Sequence, residues 1–101
     1  MLYSIYCLDN PNTEKLRDAN RIAHRQYLDV WKDSLFFSGP LLDDNDENIQ
    51  LGSLFILKVK DRAEAESYIH NEVFYTAGVF ASVAIVRMRK GRYNPELATD
   101  I

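Results

Sequence analysis

The stretch NRIAHRQYLDVW contains a histidine and an arginine at a spacing that suits acid–base chemistry. His24 follows Arg21 by three residues, and side chains three positions apart are neighbours on a helix surface. An imidazole can accept or donate a proton near neutral pH, and a guanidinium beside it can bind an anionic oxygen. We expect His24 to border a pocket as the acid–base group. A histidine with one structural hydrogen bond, and a surface ion pair of Arg21 with Asp18 or Asp29, are the alternatives.

The other reactive residue types lack the spacing that their chemistry requires. Cys7, His24 and His70 share no metal-ligand spacing, and two scattered histidines give no argument for haem. The acidic run DDNDEN lacks the glycine that a calcium loop needs at its sixth position, and no serine lies in a G-x-S-x-G context. No glycine-rich phosphate loop is present. We expect no metal and no cofactor, and a helix-capping role for His70.

Charge and composition limit the binding partners and the cellular compartment that we expect for this protein. The chain has 12 basic and 15 acidic residues, a net charge of -3, which disfavours general nucleic-acid binding. The segment LGSLFILKV offers only Phe55 where an RNA-recognition domain needs several aromatic residues. No long apolar run could span a membrane, the start lacks the basic leader of a signal peptide, and the single cysteine excludes an internal disulfide. These features predict a cytoplasmic protein.

The elements that position His24 follow from apolar periodicity. Residues 2–8, 34–42, 51–60 and 79–89 are predicted strands, the second ending near Gly39 and Pro40, and residues 13–33 and 61–71 are predicted helices. Asn10 or Asn12 is expected to cap the first helix and Asp61 the second. A short turn ended by Gly78 precedes the last strand, and a polar tail starts at about residue 90. The order β-α-β-β-α-β predicts a single ferredoxin-like α+β domain over residues 1–101, an antiparallel sheet with both helices on one face.

The first helix is predicted to bury one apolar stripe, with His24 in the row beside it. Arg17 is expected mostly on other faces. The predicted stripe consists of Leu16, Ala19, Ala23, Gln26, Tyr27 and Val30, and the second row of Arg21, His24, Leu28 and Trp31.

The strands are apolar on both faces, which predicts a homodimer. An antiparallel sheet covered on one side should present a polar second face, yet the first strand alternates Leu2, Tyr6 and Leu8 with Tyr3, Ile5 and Cys7. Two helices cover one face only, so the simplest cover for the other is a second copy. At about 25 cal/mol per Å², burial of several hundred Å² per subunit is worth roughly 10 kcal/mol before the cost of association. Folding of the tail over the sheet is the alternative.

Several fragments together resemble the YciI-like (YCII-related) family. They are MLYSIYCLD, the R-x-x-H of Arg21 to His24, SGPLL from Ser38, LGS from Leu51, and EVFYTAGVF before the last strand. The resemblance covers nearly the whole chain except the tail. It implies a ferredoxin-like fold that forms a dimeric α/β barrel through its sheets.

The resemblance also implies an active site with a histidine–aspartate pair. The histidine corresponds to His24, and the acid position to Glu72, where the family has a D-P-F/Y segment and this chain has Glu72, Val73 and Phe74. A carboxylate can hold an imidazole in one tautomer. Because glutamate is one methylene longer than aspartate, Glu72 can do so only if the backbone moves back or the side chain folds.

Two functions remain open at this point. The first is a small cofactorless enzyme, of lyase, isomerase or dehydrochlorinase type, because one branch of the family removes chloride from a chlorinated hydroxyquinol. His24 and Glu72 would be catalytic, with a small aromatic or anionic substrate bound by Arg21 and Phe74 and enclosed by Ser38, Gly39 and Pro40. The second is a dimeric module that binds a small molecule without turnover.

Overall fold

The computed structural model describes all residues from Met1 to Ile101, and its elements follow the predicted order. The elements are β1 (Leu2–Asp9), α1 (Glu14–Val30), β2 (Leu35–Leu42), β3 (Gln50–Lys58), α2 (Arg62–His70), α3 (Val73–Thr76), β4 (Phe80–Met88) and a 3-10 helix (Pro95–Ala98). The predicted α+β fold with a four-stranded antiparallel sheet is therefore confirmed.

The sheet has the strand order β2-β3-β1-β4. Its centre is β1, where Ile5 lies opposite Phe55 of β3 and Ile85 of β4. Pro40 lies in the edge strand β2, as predicted for a residue that lacks an N–H, although β2 continues past Pro40 to Leu42.

The core lies between one face of the sheet and the helices. Ile5, Cys7 and Leu57 project from the central strands into this core, where Tyr68 and Ile69 of α2 cover them. Burial, with the negative charge of Glu72 as a second cause, raises the pKa of Cys7 from 9.0 to about 12. The Cys7 side chain is therefore a neutral thiol at neutral pH and serves as an apolar packing group.

The start of α1 differs from the prediction. The residue before the helix is Thr13, and neither asparagine caps it. The Asn10 side chain instead donates to the carbonyl oxygen of Gly78, and Asn12 adopts a left-handed turn with φ of 60°. The cap of α2 is confirmed, because the Asp61 carboxylate accepts from the backbone N–H of Glu64.

The face that α1 turns toward the sheet is also different from the predicted one. Arg17 is the one fully buried residue of α1, whereas Val30 of the predicted stripe is 79% exposed. Tyr27, Leu28 and Trp31 pack against the core. The predicted second row, with His24 in it, thus faces the sheet together with Tyr27 of the predicted stripe. The large side chains and the Arg17 ion pair fix the rotation of the helix, since the alanines of the predicted stripe offer little area to bury.

The sheet face opposite the helices carries large apolar side chains that remain accessible. This open sheet face includes Tyr6, Leu8, Phe37, Val86 and Met88, each between 40% and 58% exposed. It matches the second apolar face expected from the alternation of the strands. None of the helices combines the length and the apolar character that a bilayer-crossing segment needs.

Candidate active site

The structure brings His24 of α1 into contact with Glu72, although 48 residues separate them along the chain. His24 Nδ1 faces Glu72 Oε1, and the two side chains are 14% and 0% exposed. Because a carboxylate oxygen accepts hydrogen bonds, this contact favours the tautomer that carries its proton on Nδ1. The Nε2 atom has no hydrogen-bond partner in the chain, so its lone pair is available to a bound molecule.

Glu72 reaches His24 because its side chain folds back on its own backbone. It is the N-cap residue of α3, and its Oε2 accepts from the backbone N–H groups of Phe74 and Tyr75 at 3.0 and 3.3 Å. One carboxylate oxygen therefore accepts hydrogen bonds from the N-terminal end of α3, while the other contacts the imidazole. A folded side chain is one of the two ways named above in which the extra methylene of Glu72 can be accommodated.

Phe74 fixes the plane of the imidazole. The rings of His24 and Phe74 stack with centroids 3.9 Å apart and planes 11° from parallel. The Arg17 guanidinium carbon lies 4.8 Å from the centroid of the Phe74 ring, a distance suited to a cation–π contact. The orientation of His24 is therefore set by packing as well as by the Glu72 contact.

Arg17 holds the end of β1, the start of β3 and α1 together. Its Nε and Nη2 atoms donate to the Asp9 carboxylate at 2.7 and 2.9 Å. The Nη2 atom also lies 3.1 Å from the Gly52 carbonyl oxygen and from Ser53 Oγ. A Cβ at Gly52 would come within 2.0 Å of the Cys7 carbonyl oxygen, so only glycine permits the close approach of β3 to β1. The LGS segment thus supplies both the close approach and the acceptors for Arg17.

A cleft of about 280 Å³ opens between α1 and the β2–β3 side of the sheet. Every candidate named from the sequence other than Glu72 lines it, and Glu72 lies buried behind His24. Those lining residues are Arg21, His24, Ser38, Gly39, Pro40 and Phe74. Arg21 also forms an ion pair of 2.5 Å with Asp18. Arg21 therefore both lines the cleft and makes the surface ion pair that was the alternative expectation for it. No three His, Cys, Asp or Glu side chains cluster in a way that could hold a metal ion.

Sequence reasoning missed four polar residues of the same cleft. They are Arg17, Arg25, Gln50 and Ser53. The two arginines could have been predicted from the spacing of Arg17, Arg21 and Arg25 by four residues, because residues at that spacing share one side of a helix. Gln50 and Ser53 had no local signal, since the pairing of β3 beside α1 decides their position.

A negative charge inside the core affects the tyrosines around Glu72. Burial is the main cause that raises the pKa of Tyr68, followed by the charge of Glu72. Burial also raises the pKa of Tyr27, and the charge of Glu72 adds to it. Both phenols therefore remain neutral at physiological pH and act as packing groups, with the Tyr27 hydroxyl donating to the Tyr68 carbonyl oxygen at 2.8 Å.

A family model for the YCII-related domain matches residues 1–89 of this sequence. The chain belongs to the YCII-related family. This confirms the resemblance drawn from the sequence fragments. The matched segment of this family member contains the cleft, His24 and Glu72, and it ends one residue after β4.

A solved structure shows the same architecture. This YCII-related chain is similar to 5-chloro-2-hydroxyhydroquinone dehydrochlorinase (TftG) from Burkholderia phenoliruptrix AC1100, which was solved in complex with 2,5-dihydroxybenzoquinone. The two structures have a TM-score of 0.82, and the sequences are 32% identical. The match covers 90% of this chain and 96% of that one. This chain is less similar to At3g17210 from Arabidopsis thaliana, with a TM-score of 0.48 and 7% identity over 92% of this chain and 97% of that one. Among curated protein sequences, none matches this chain.

Proposed function

We propose that this protein is a small enzyme without a cofactor, in which His24 is the general base and Glu72 is its positioning residue. The observation that carries the proposal is the contact of His24 Nδ1 with the fully buried Glu72 carboxylate. This contact leaves Nε2 without a partner at a cleft large enough for a small organic molecule. A base must lie beside the proton that it removes, and the cleft position of His24 meets that requirement.

The chemistry that fits these groups is proton abstraction followed by elimination or isomerisation. Nε2 takes a proton from a phenol or from a carbon next to a carbonyl. Glu72 stabilises the imidazolium that results, because its charge lies against Nδ1. The proton held on Nε2 is then available to a leaving group or to a neighbouring carbon.

The substrate is proposed to be small, with an aromatic ring or an anionic oxygen. The cleft has aromatic walls at Phe55 and Phe74 and cationic groups from Arg21 and Arg25. The dehydrochlorinase at 32% identity was solved with a dihydroxybenzoquinone, a ring of this size and chemistry. Its similarity supports a chlorinated hydroxyquinol as the first compound to assay.

The direct test measures chloride release from 5-chloro-2-hydroxyhydroquinone by the wild-type protein and by His24→Asn. Asparagine keeps a donor toward Glu72 but removes the base, so kcat should fall by about 100-fold or more. His70→Asn is the matched control, because His70 packs against Tyr75 away from the cleft, and it should retain wild-type activity. Full activity of His24→Asn would contradict the assignment of the base.

A binding module without turnover is the second candidate, because the arginines that line the cleft would bind an anionic molecule whether or not His24 reacts with it. Titration with 2,5-dihydroxybenzoquinone separates the two candidates. Binding that is unchanged in His24→Asn, together with no chloride release by the wild type, would favour the module.

The open sheet face is proposed to be covered by a second copy of the chain. Side chains such as Tyr6, Phe37 and Val86 are about half exposed on it. A contiguous apolar surface of this kind is an association site in a stable protein, and a twofold axis would place the same face against itself. Analytical ultracentrifugation at low micromolar concentration should find a dimer, and a well-folded monomer there would refute this arrangement.

A further inference from the structure

A second groove, of about 530 Å³, lies on the open sheet face, where β1 begins and β3 and β4 end. Its lining includes the apolar side chains of Phe36, Phe37 and Met88, each between 40% and 54% exposed. None of its lining residues borders the cleft of His24. We call it the sheet-end groove, and the proposed catalysis does not use it.

The charged side chains of the sheet-end groove are all cationic. Lys58, Lys90 and Arg92 line it, and no acidic residue does. None of the three forms an ion pair within the chain. An occupant that combines apolar side chains with carboxylates would therefore complement both the surface and the charge of this groove.

The segment after β4 carries that combination. Its 3-10 helix, Pro95–Ala98, leaves Leu97 73% exposed, and Ile101, four residues after Leu97, is 93% exposed. Glu96 and Asp100 directly precede these two apolar residues, and neither acid forms an ion pair in the chain. We call residues 95–101 the tail segment. Its free acids and exposed apolar side chains are the counterpart of the free cations and apolar lining of the sheet-end groove.

Within one chain the tail segment does not occupy the sheet-end groove, because none of its residues lines it. Residues 90–93 already do, and the ring of Tyr93 lies 5.8 Å from that of Phe36 in the edge strand β2. To enter the same groove, the chain would have to reverse direction directly after Tyr93. Asn94 instead caps the 3-10 helix, with its side-chain oxygen accepting from the backbone N–H of Glu96. A second copy can supply the tail segment without any such reversal.

We propose that the tail segment of each subunit docks in the sheet-end groove of a second copy, with Leu97 and Ile101 on the apolar lining and Glu96 and Asp100 beside the cations. This rests on the proposed association of two copies through the open sheet face. A twofold axis makes the contact occur twice in each dimer. The tail segment lies beyond the residues 1–89 that the family model matches, so this contact does not follow from the family fold.

The first test is Leu97→Ser, with the Kd of the dimer measured by sedimentation velocity over a dilution series. Leu97 is exposed within the subunit, so its replacement should leave the fold intact. Loss of one buried leucine corresponds to roughly 10-fold in an equilibrium constant. Because the contact occurs twice, the Kd should rise by about 100-fold. Ile22→Ser is the matched control, since Ile22 is 74% exposed on α1, and it should keep the wild-type Kd.

The second test reverses the charges on one side of the contact at a time. Lys90→Glu with Arg92→Glu gives a groove variant, and Glu96→Lys with Asp100→Lys gives a tail variant. Each variant alone should sediment as a monomer at low micromolar concentration, because like charges would face each other in both copies of the contact. An equimolar mixture should restore the dimer, since both contacts of a mixed dimer pair opposite charges. Docking of the tail segment within its own chain would give no such recovery.

An unchanged Kd in Leu97→Ser, or a mixture that stays monomeric, would overturn the tail contact and leave the sheet-face dimer in place. Charge variants that dimerise as tightly as the wild type would overturn it equally. A monomeric wild type would refute both arrangements. Recovery of the dimer in the mixture, in a protein whose dimer also survives Val86→Lys on the open sheet face, would support the tail contact and contradict the sheet-face dimer.

Discussion

Replacement of Glu72 by glutamine tests the pairing of the acid with His24 without a change in side-chain size. The carboxylate accepts from the backbone N–H groups of Phe74 and Tyr75 through one oxygen and faces His24 through the other. A glutamine has one accepting oxygen and one donating nitrogen, so it cannot serve both sides in the same way.

The structure determines which side keeps the oxygen. If the amide nitrogen faced Phe74 and Tyr75, donors would oppose donors and two backbone N–H groups at the end of α3 would lose their acceptor. The oxygen should therefore stay with the backbone, and the nitrogen should face His24. The imidazole must then accept at Nδ1, which moves its proton to Nε2 and removes the lone pair from the cleft.

The energetic cost follows from the loss of charge. Three hydrogen bonds change from charge-assisted to neutral, each losing about 1 kcal/mol, so the free energy of unfolding should fall by about 3 kcal/mol. Glu66→Gln is the control, because Glu66 forms an exposed pair with Arg62, and such pairs contribute about 0.5 kcal/mol or less. The kcat for any substrate that His24 deprotonates should fall by about 100-fold or more.

Two measurements check this reasoning. Urea unfolding gives the change in stability, and long-range ¹H–¹⁵N NMR correlations of the His24 ring give the tautomer. The wild type should show Nδ1–H and Glu72→Gln should show Nε2–H. An Nδ1–H tautomer in both proteins, with equal stability, would refute the assigned role of Glu72.

Three other perturbations have defined outcomes. Arg17→Met should lower the free energy of unfolding by about 3–5 kcal/mol in urea titrations, because it leaves the buried Asp9 carboxylate without its partner; a loss below about 1 kcal/mol would contradict the burial argument. The pKa of Cys7 rises from 9.0 to about 12 on folding, so the unfolded chain loses the thiol proton at a lower pH than the folded chain does. The contribution of the neutral Cys7 thiol to the free energy of unfolding should therefore be complete below about pH 9 and decline between about pH 9 and 12. Urea unfolding at a series of pH values should show a shallower alkaline decline in Cys7→Ala, and identical slopes would count against the buried thiol. Val86→Lys on the open sheet face should shift the sedimentation coefficient toward that of a monomer, whereas Ile22→Lys, also exposed but on α1, should not; a dimer that persists in Val86→Lys would place the contact elsewhere.

Much of the fold was predictable because its signals are local. The strand alternation, the Asp61 cap of α2 and the turn that ends at Gly78, with φ of 86°, each depend on neighbouring residues. The caps and faces of α1 were less predictable, because residues far along the chain decide them. Asn10 turns to the Gly78 carbonyl oxygen instead of the helix, and Arg17 turns to Asp9 and the Gly52 segment.

The candidate site divides in the same way. The family resemblance indicated His24 and Glu72 as a pair, and the structure places them in contact. It could not indicate how the longer glutamate fits, since that depends on the backbone N–H groups at the start of α3. The position of Gln50 in the cleft could not be predicted for a similar reason. Its amide follows a polar loop sequence without any recognisable motif, and it reaches the cleft only because β3 lies beside α1.

The sequence by itself determined the order of the elements, the two apolar faces of the sheet and the presence of a histidine on the first helix. Those properties follow from periodicity and composition, which act over a few residues. Only the tertiary structure decided which side of α1 faces the sheet, how Glu72 meets His24, and which polar groups share their cleft. These depend on contacts between segments 30 to 50 residues apart, such as Arg17 with Ser53 and His24 with Glu72, and the formation of such contacts depends on how the sheet and helices pack.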